Sequence, residues 1–214
     1  FEAAYDYDPR HPVPSIGGTI TSGEPVMVGG AFDQREGPAF FGSEQPGRAL
    51  ADRPDVLAFA TDPLAQDLEV TGPVEAELWV ATDGPDTDFT IKLLDLCPPT
   101  ADDPMGYAMN LTDGILRCRY RDSWADPRPM VPGRVCRIVV RAFPTSNLFK
   151  AGHRIGLHVS SSNYPHFDLN PNTGEPEGRW TRMRTARNRV FMSPARPSAV
   201  LLPVVRRQGI SRGV

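Results

Sequence analysis

The three residue types of a serine-hydrolase triad occur within nine residues of this chain. Ser160, Ser161 and Ser162 precede His166 and Asp168. A triad works when a base takes the hydroxyl proton and an acid orients the base, so geometry defines it rather than proximity in sequence. These serines end a predicted strand, and the proline-containing loop that follows should turn the side chains toward different faces. We interpret them as residues that cap a strand end, and we predict no catalytic residue in this chain.

Three aspartates in one predicted turn could form a calcium site. Asp83, Asp86 and Asp88 would offer carboxylate oxygens on a flexible loop, which suits Ca²⁺. Their D-x-x-D-x-D spacing is not that of an EF-hand loop, and hydrogen bonds to nearby backbone groups explain aspartates in turns without any metal. We predict that these aspartates stabilise the turn through such hydrogen bonds and bind no metal.

The cysteines and histidines show no metal-binding pattern either. The three cysteines are odd in number and lack Cys-x-x-Cys spacing, which argues against a disulfide framework or a zinc site. We predict that they are small core residues, with a Cys118–Cys136 disulfide left open. His158 lies on the face of a predicted strand, where a structural imidazole is the better explanation. No metal and no cofactor is therefore predicted.

Composition and charge exclude several classes of protein. Hydrophobic residues make up 40% of the chain, which argues against disorder, and its 23 Pro and 19 Gly favour many turns over long helices. The net charge of −3 disfavours nucleic-acid binding. We interpret the basic run Arg179–Arg189 as a solvated surface segment. No apolar stretch approaches the roughly 18 residues of a membrane-spanning helix.

Alternating hydrophobicity predicts two strands near the middle of the chain. The apolar residues that share one face of the first strand, Val74–Thr82, are Val74, Ala76, Leu78 and Val80. This period of two indicates a strand with one buried face. The second strand, Phe89–Leu96, alternates less cleanly. The residues between them contain Gly and Pro, which suit a turn.

Further strands are predicted along the rest of the chain, with turn signals between them. They are Arg53–Ala60, Asn110–Tyr120, Arg134–Phe143, Arg154–Ser161, Asn188–Met192 and Ala199–Val205. No helical pattern alternates with them, and the Cys…Trp…Cys spacing of immunoglobulin domains is absent. We therefore predict an all-β fold, a jelly-roll β-sandwich of two antiparallel sheets.

Nine ordered sequence blocks between Tyr5 and Val205 carry a resemblance to a known family. They read YDYDP, PVPSIGG, DQR, RPDVLAF, DLEVTGPV, DTDFTIKLLD, NLTDGILRCRYR, PTSNLFKAGHRI and SSSNYPHFDLNPNTG. In this order they resemble the C-terminal β domain of the CocE/NonD family of serine hydrolases, which includes esterases, α-amino-acid ester hydrolases and X-Pro dipeptidyl-peptidases. The resemblance implies a jelly roll of the galactose-binding-domain-like type.

The resemblance also implies a domain organisation. Residues 1–18, with three prolines, would be a strap or linker that leads in from an upstream hydrolase domain, and residues 19–214 would form a single jelly-roll domain. In that family the nucleophile serine and its His and Asp partners lie in the hydrolase domain. No catalytic residue can therefore be assigned to this chain. The parent protein would hydrolyse ester, amide or peptide bonds.

The implied partners are the α/β-hydrolase domain and the helical cap that precede this domain in such enzymes. The domain would pack on and stabilise the catalytic domain and could help to shape its substrate pocket. We expect neither nucleic acid nor a membrane as a partner, and a homodimer stays an open alternative. A second reading is an independent carbohydrate- or ligand-binding jelly-roll module, for which Trp124 and Trp180 could supply aromatic contacts.

The expected docking surface is the irregular segment Thr19–Phe41, because it directly follows the strap. Its apolar residues fit neither strand nor helix periodicity. The candidate pocket or interface residues are Ile20, Met27, Phe32, Asp33 and Arg35. The alternative is that the apolar residues fill the end of this domain's own sandwich. Family members often carry a basic residue where this chain has His166, and another where it has Leu169, so a contact made by those bases would differ here.

Overall fold

The computed structural model describes residues 1–22 and 28–206, and within them the chain is almost entirely β-structure. The strands are β1 (Glu2–Tyr7), β2 (Leu57–Ala60), β3 (Leu68–Thr82), β4 (Asp88–Cys97), β5 (Tyr107–Arg117), β6 (Cys136–Phe149), β7 (Arg154–Ser160), β8 (Ala186–Ser193), β9 (Arg196–Pro197) and β10 (Ala199–Leu201). Single-turn 3₁₀ helices lie at Leu50–Asp52 and Cys118–Tyr120. In the described residues no helix is long and apolar enough to span a membrane.

The strands form two antiparallel sheets. The first sheet has the order β1-β8-β3-β6, with the short β9 and β10 added beside β8 and β3, and the second sheet has the order β2-β7-β4-β5. The long strands thus pair as β1 with β8, β2 with β7, β3 with β6 and β4 with β5. This is the pairing of one long hairpin rolled into a sandwich. The predicted all-β jelly roll of two antiparallel sheets is therefore confirmed.

The inward faces of both sheets meet in one apolar core. The four predicted inward residues of β3, Val74, Ala76, Leu78 and Val80, are 0–2% exposed. Leu78 pairs with Ile138 of β6 in register, and the second sheet contributes inward residues of β4 such as Phe89 and Leu93. Burial of these side chains is the main stabilising contribution to the fold.

Strand β4 is buried on both faces, which explains its poor alternation in sequence. Every residue from Asp88 to Asp95 is buried. Ile91 and Leu93 face the core between the sheets, whereas Thr90 and Lys92 face the opposite side. A strand covered on both sides loses the polar, solvent-facing half of its pattern.

The N-terminal residues join the first sheet. Glu2–Tyr7, within the predicted strap, forms β1 and pairs with β8, and Tyr5 and Tyr7 are at most 2% exposed. The strap prediction overlooked this strand because the prolines at 9, 12 and 14 follow it rather than interrupt it. Whether the segment leads in from an upstream domain stays a prediction.

Several of the predicted strands begin or end at other residues in the structure. Arg53–Ala60 becomes a strand only at Leu57, because Arg53 turns inward and binds Asp55 through Nε and Nη2 at 2.8 and 2.9 Å. Strand β5 ends at Arg117, where the 3₁₀ turn Cys118–Tyr120 begins. The cysteines are all free thiols, so the Cys118–Cys136 disulfide is not formed.

Candidate functional site

An irregular stretch of chain, residues 13–22 and 28–56, lies over the outer face of the second sheet; we call it the covering segment. Its apolar residues form a second, smaller core made of Val13, Ile16, Leu50 and Val56, with Phe32 and Phe40 packed against them. The two phenylalanine rings meet edge to face, with centroids 5.4 Å apart. The covering segment therefore has a small apolar core of its own.

Glu36 fixes the covering segment from inside. Its carboxylate accepts hydrogen bonds from the backbone N–H of Glu44 at 2.6 Å and of Gln45 at 2.8 Å, and from Arg48 Nε at 2.7 Å. Burial opposes ionisation of this side chain, but the donors outweigh burial and hold the pKa of Glu36 below its usual value. A segment without regular secondary structure is thus tied together by one buried carboxylate.

A buried polar network lies between the covering segment and the second sheet. Lys92 Nζ donates to Gln34 Oε1 at 2.6 Å, which links the sheet to the DQR block. Lys92 pairs in register with Asp113 of β5 and with His158 of β7. Asp113 also accepts a hydrogen bond from Asn163 Nδ2 at 2.9 Å. All five residues are less than 9% exposed.

Burial and neighbouring charges set the protonation of this network. Burial lowers the pKa of Lys92 to about 8, against the opposing effect of the Asp113 carboxylate. Burial, and then the charge of Lys92, lowers the pKa of His158 to about 3. Burial opposes ionisation of Asp113, but His166 and Lys92 hold its pKa below the usual value. At neutral pH the Asp113 anion therefore lies beside the Lys92 cation, and His158 is neutral.

His166 belongs to the same buried region. Its ring stacks on Phe167 with centroids 4.2 Å apart and lies near Phe143 at 6.5 Å. Its Nδ1 is 3.5 Å from Asp113 Oδ1, and its side chain is 2% exposed.

Three of the predicted site residues, Phe32, Asp33 and Arg35, lie close together in the covering segment. Asp33 Oδ1 accepts from the backbone N–H of Ala108 at 2.9 Å, and its Oδ2 accepts from Arg35 Nε at 3.1 Å. Phe32 is half-buried in the small core. Ile20 lies earlier in the covering segment and is 46% exposed.

Met27 lies outside the described residues. Phe41, part of the same predicted surface, is 47% exposed, whereas Phe40 is half-buried. The exposed apolar part of the covering segment is therefore formed by Ile20 and Phe41, which we call the apolar patch.

The serine cluster makes structural hydrogen bonds. Ser160 Oγ is 2.6 Å from Thr90 Oγ1, Ser161 Oγ is 2.8 Å from Tyr5 Oη, and Ser162 Oγ accepts from the Val13 backbone at 2.9 Å. Each hydroxyl points to a different neighbour, as the sequence interpretation expected.

One catalytic-looking pattern was overlooked in the sequence. Residues 209–213 read Gly-Ile-Ser-Arg-Gly, a match to the G-x-S-x-G turn of α/β hydrolases, and lie outside the described residues. A nucleophile elbow follows a buried strand. Here the polar residues Arg206, Arg207 and Gln208 precede the pattern, so the match lacks the sequence context of that turn.

The three aspartates of the predicted turn each bind an arginine. Asp86 pairs with Arg119 at 2.7 Å, Asp88 with Arg117 at 3.1 Å and Asp83 with Arg184 at 2.9 Å. These cations occupy the carboxylates that a calcium ion would need.

A surface groove that the sequence interpretation did not locate runs beside Arg117. Two adjoining cavities of about 400 and 430 Å³ share Arg117, Asp168 and Glu177. Trp124 lines the first cavity and Trp180 lines the second. The indole of Trp124 is 74% exposed and stacks on Tyr120 with centroids 5.4 Å apart. The groove thus offers aromatic faces beside carboxylates.

Comparison with known proteins decides the family. The model of the X-Pro dipeptidyl-peptidase C-terminal non-catalytic domain matches residues 6–201. The chain belongs to this family. The covering segment, the polar network and the groove therefore lie within the part of the chain that this family model matches.

Relatives show how much of a longer protein such a domain represents. The chain is 40% identical over 205 residues to cocaine esterase of Rhodococcus sp. (strain MB1 Bresler), covering 95% of this chain and 32% of that protein. An α-amino acid ester hydrolase structure matches with TM-score 0.78 and 30% identity, over 95% of this chain and 32% of that one. An aminopeptidase from a Thaumarchaeota archaeon matches with TM-score 0.76 and 29% identity, over 96% and 33%. The chain spans about a third of the length of these relatives.

Proposed function

We propose that this domain is the accessory C-terminal part of a CocE/NonD-type serine hydrolase, packing on the α/β-hydrolase domain and its cap. The catalytic domain would supply the triad and hydrolyse an ester, amide or peptide bond. Support comes from the family match over residues 6–201 and from relatives that are an esterase, an ester hydrolase and an aminopeptidase. This domain would stabilise its neighbour and shape one wall of the substrate pocket.

The apolar patch is the observation that carries the docking part of the proposal. Ile20 and Phe41 are 46% and 47% exposed on a segment that is held together by Glu36 and the small core. They are the exposed large hydrophobic side chains among the described residues of the segment that follows the predicted strap, so the contact with an upstream domain would be made there. Asp33 and Arg35 are half-buried in the same segment, where they would supply polar contacts at the rim of the contact.

The test uses the complete parent protein. Ile20→Ser and Phe41→Ser should lower its thermal stability and its rate of ester hydrolysis, because the docking surface is disrupted. Leu201→Ser is the matched control, since Leu201 is 48% exposed on β10 of the first sheet. Equal losses of stability and activity in all three variants would contradict docking through the apolar patch. A parent sequence without an upstream hydrolase domain would contradict the proposed function as a whole. Light scattering gives the molar mass of the isolated domain and so shows whether two copies form a homodimer through the apolar patch instead.

The proposal also assigns no hydrolysis to this domain alone. The isolated chain should not turn over p-nitrophenyl esters. Turnover that a serine-reactive phosphonate abolishes would contradict this expectation. Ser211→Ala then shows whether the overlooked Gly-x-Ser-x-Gly pattern is the source.

A second candidate function rests on the groove. Exposed aromatic faces beside carboxylates suit stacking and hydrogen bonding to a sugar, as in the alternative of a carbohydrate-binding module. Trp124→Ala and Trp180→Ala would each weaken sugar binding measured by titration calorimetry. No heat change with a panel of mono- and oligosaccharides would remove this candidate.

A further inference from the structure

Asp95, Cys97 and His153, three side chains of types that can bind a metal ion, lie together at one end of the sandwich, away from the polar network beneath the covering segment. Asp95 and Cys97 are two residues apart on β4, so they share one strand face. Leu96 pairs with Arg154 of β7, which brings His153 alongside Cys97. The β4–β7 ladder thus brings His153 next to two residues that lie 56 and 58 positions before it in the chain.

The donor atoms are spaced closely enough for one ion to bind all three. His153 Nδ1 is 2.8 Å from Asp95 Oδ1 and 3.7 Å from Cys97 Sγ, and the ligand atoms all lie within 4.8 Å of one another. In a tetrahedral zinc site with bonds of about 2.0–2.3 Å, neighbouring ligand atoms are roughly 3.3–3.8 Å apart. A small outward movement of the Asp95 carboxylate would therefore make room for the ion.

The surroundings of this cluster resemble the support of a metal site. The second oxygen of Asp95, Oδ2, accepts from Asn147 Nδ2 of β6 at 3.2 Å, which orients the carboxylate toward His153. The carboxylates of Asp95, Asp103 and Asp33 place negative charge near Cys97. This charge would attract a divalent cation, which would replace the thiol proton.

The geometry does not suit thiol catalysis. In a Cys-His-Asp relay the acid and the thiol engage opposite nitrogens of the imidazole ring. Here both Asp95 and Cys97 approach Nδ1 of His153. The imidazole ring therefore cannot pass a proton between Cys97 and Asp95 through its two nitrogens. The three side chains instead bring one nitrogen, one sulfur and one oxygen close together, as the ligands of a metal ion are arranged.

We propose that Asp95, Cys97 and His153 bind a zinc ion, with water in the fourth position. A thiolate, an imidazole and a carboxylate are the ligand types that Zn²⁺ takes, and three protein ligands leave one coordination position open. Binding exchanges the thiol proton for the metal–sulfur bond, and that proton goes to solvent. The ion would fasten the end of β4 to the start of β7.

The test is metal titration of the purified chain after dialysis against a chelator. Zn²⁺ should bind with one equivalent by calorimetry, and Co²⁺ should give the thiolate charge-transfer band and the visible bands of a tetrahedral site. Cys97→Ser and His153→Gln should remove the charge-transfer band or weaken it strongly. Cys136→Ser is the matched control, because Cys136 is also a half-buried free thiol and should leave binding unchanged.

A milder variant distinguishes the loss of a zinc ligand from misfolding of the chain. Asn147→Ala removes only the hydrogen bond that orients Asp95, and we expect zinc affinity to fall about tenfold. Circular dichroism of each apo variant checks folding, and the imidazole resonances of His153 should shift on Zn²⁺ addition to the unaltered chain. No one-to-one binding, or a charge-transfer band that survives Cys97→Ser, would overturn the proposal.

Discussion

The outer faces of the two sheets carry similar polar side chains in opposite environments. On the first sheet, Glu75 of β3 pairs with Arg141 of β6, and Glu77 pairs with Arg137, both at the solvent surface. On the second sheet, Lys92 and Asp113 occupy equivalent outward positions but are less than 9% exposed beneath the covering segment. Surface ion pairs contribute little to stability, whereas buried charges are costly unless they are partnered. The outward polar residues of the two sheets should therefore contribute differently to the free energy of unfolding.

The inward faces provide the reference for this comparison, and the largest effects are expected there. Leu78→Ala and Ile138→Ala on the first sheet and Leu93→Ala on the second should each lower the free energy of unfolding by about 2–5 kcal/mol, because each leaves a cavity in the common core. Urea denaturation measures these losses. A much smaller loss for Leu93→Ala would mean that the second sheet depends mainly on its cover rather than on the core.

Isosteric charge removal compares the outer faces directly. Asp113→Asn should cost about 1–3 kcal/mol, because Lys92 is left buried without its anion. Glu75→Gln, which removes a carboxylate from a solvent-exposed pair, should cost less than about 0.5 kcal/mol. Urea denaturation at pH 7 checks both. Equal losses would show that the covering segment does not seal the second sheet from water.

The pH dependence of stability tests whether His158, on the covered outer face of the second sheet, is shielded from water. The pKa of His158 is lowered to about 3 in the folded chain, against about 6.5 when unfolded. Below pH 6.5 the unfolded chain therefore binds the extra proton, so folding stability falls as pH falls. The expected loss between pH 6.5 and 5 is about 1–2 kcal/mol.

The variant His158→Gln isolates this contribution from the carboxylates that titrate in the same range. The difference in unfolding free energy between the unaltered chain and His158→Gln should change across pH 6.5 to 5. A pH-independent difference would mean that the imidazole is accessible to water and protonates in the folded state.

The smallest effect is expected for Glu77→Ala. Glu77 lies on the outer face of the first sheet between the buried residues Ala76 and Leu78. Its removal breaks one exposed pair with Arg137, and thermal unfolding should be nearly unchanged. A destabilisation as large as that of Asp113→Asn would erase the distinction between the two outer faces.

Sequence predicted the parts of the fold that depend on local pattern. The alternation in β3 identified its inward face correctly, because one side of that strand is solvated. The nine ordered blocks predicted the family, since their order reflects a whole domain. The first strand was overlooked because Tyr5 and Tyr7 look like part of a proline-rich leader until β8 is known to lie beside them.

The sites depend on long-range pairing and could not be read from local pattern. A signal for the buried network existed in Lys92, a charged residue with apolar neighbours on both sides in TIKLLD. Its partners Gln34 and Asp113 became visible only with the covering segment and β5 in place. Likewise, Asp95 and Cys97 have a suggestive spacing, but the position of His153 follows from the β4–β7 register.

The pairing of β1 with β8 has a consequence for biosynthesis. Tyr5 lies opposite Asn188, so the first strand leaves the ribosome long before its partner does. At synthesis rates of about 5–20 residues per second, the wait is roughly 10–40 s. During that interval Tyr5 and Tyr7, which end at most 2% exposed, have no strand to cover them and are available to chaperones. The jelly roll closes only after nearly the whole domain has been translated, so truncation upstream of β8 would leave the first strand unpaired.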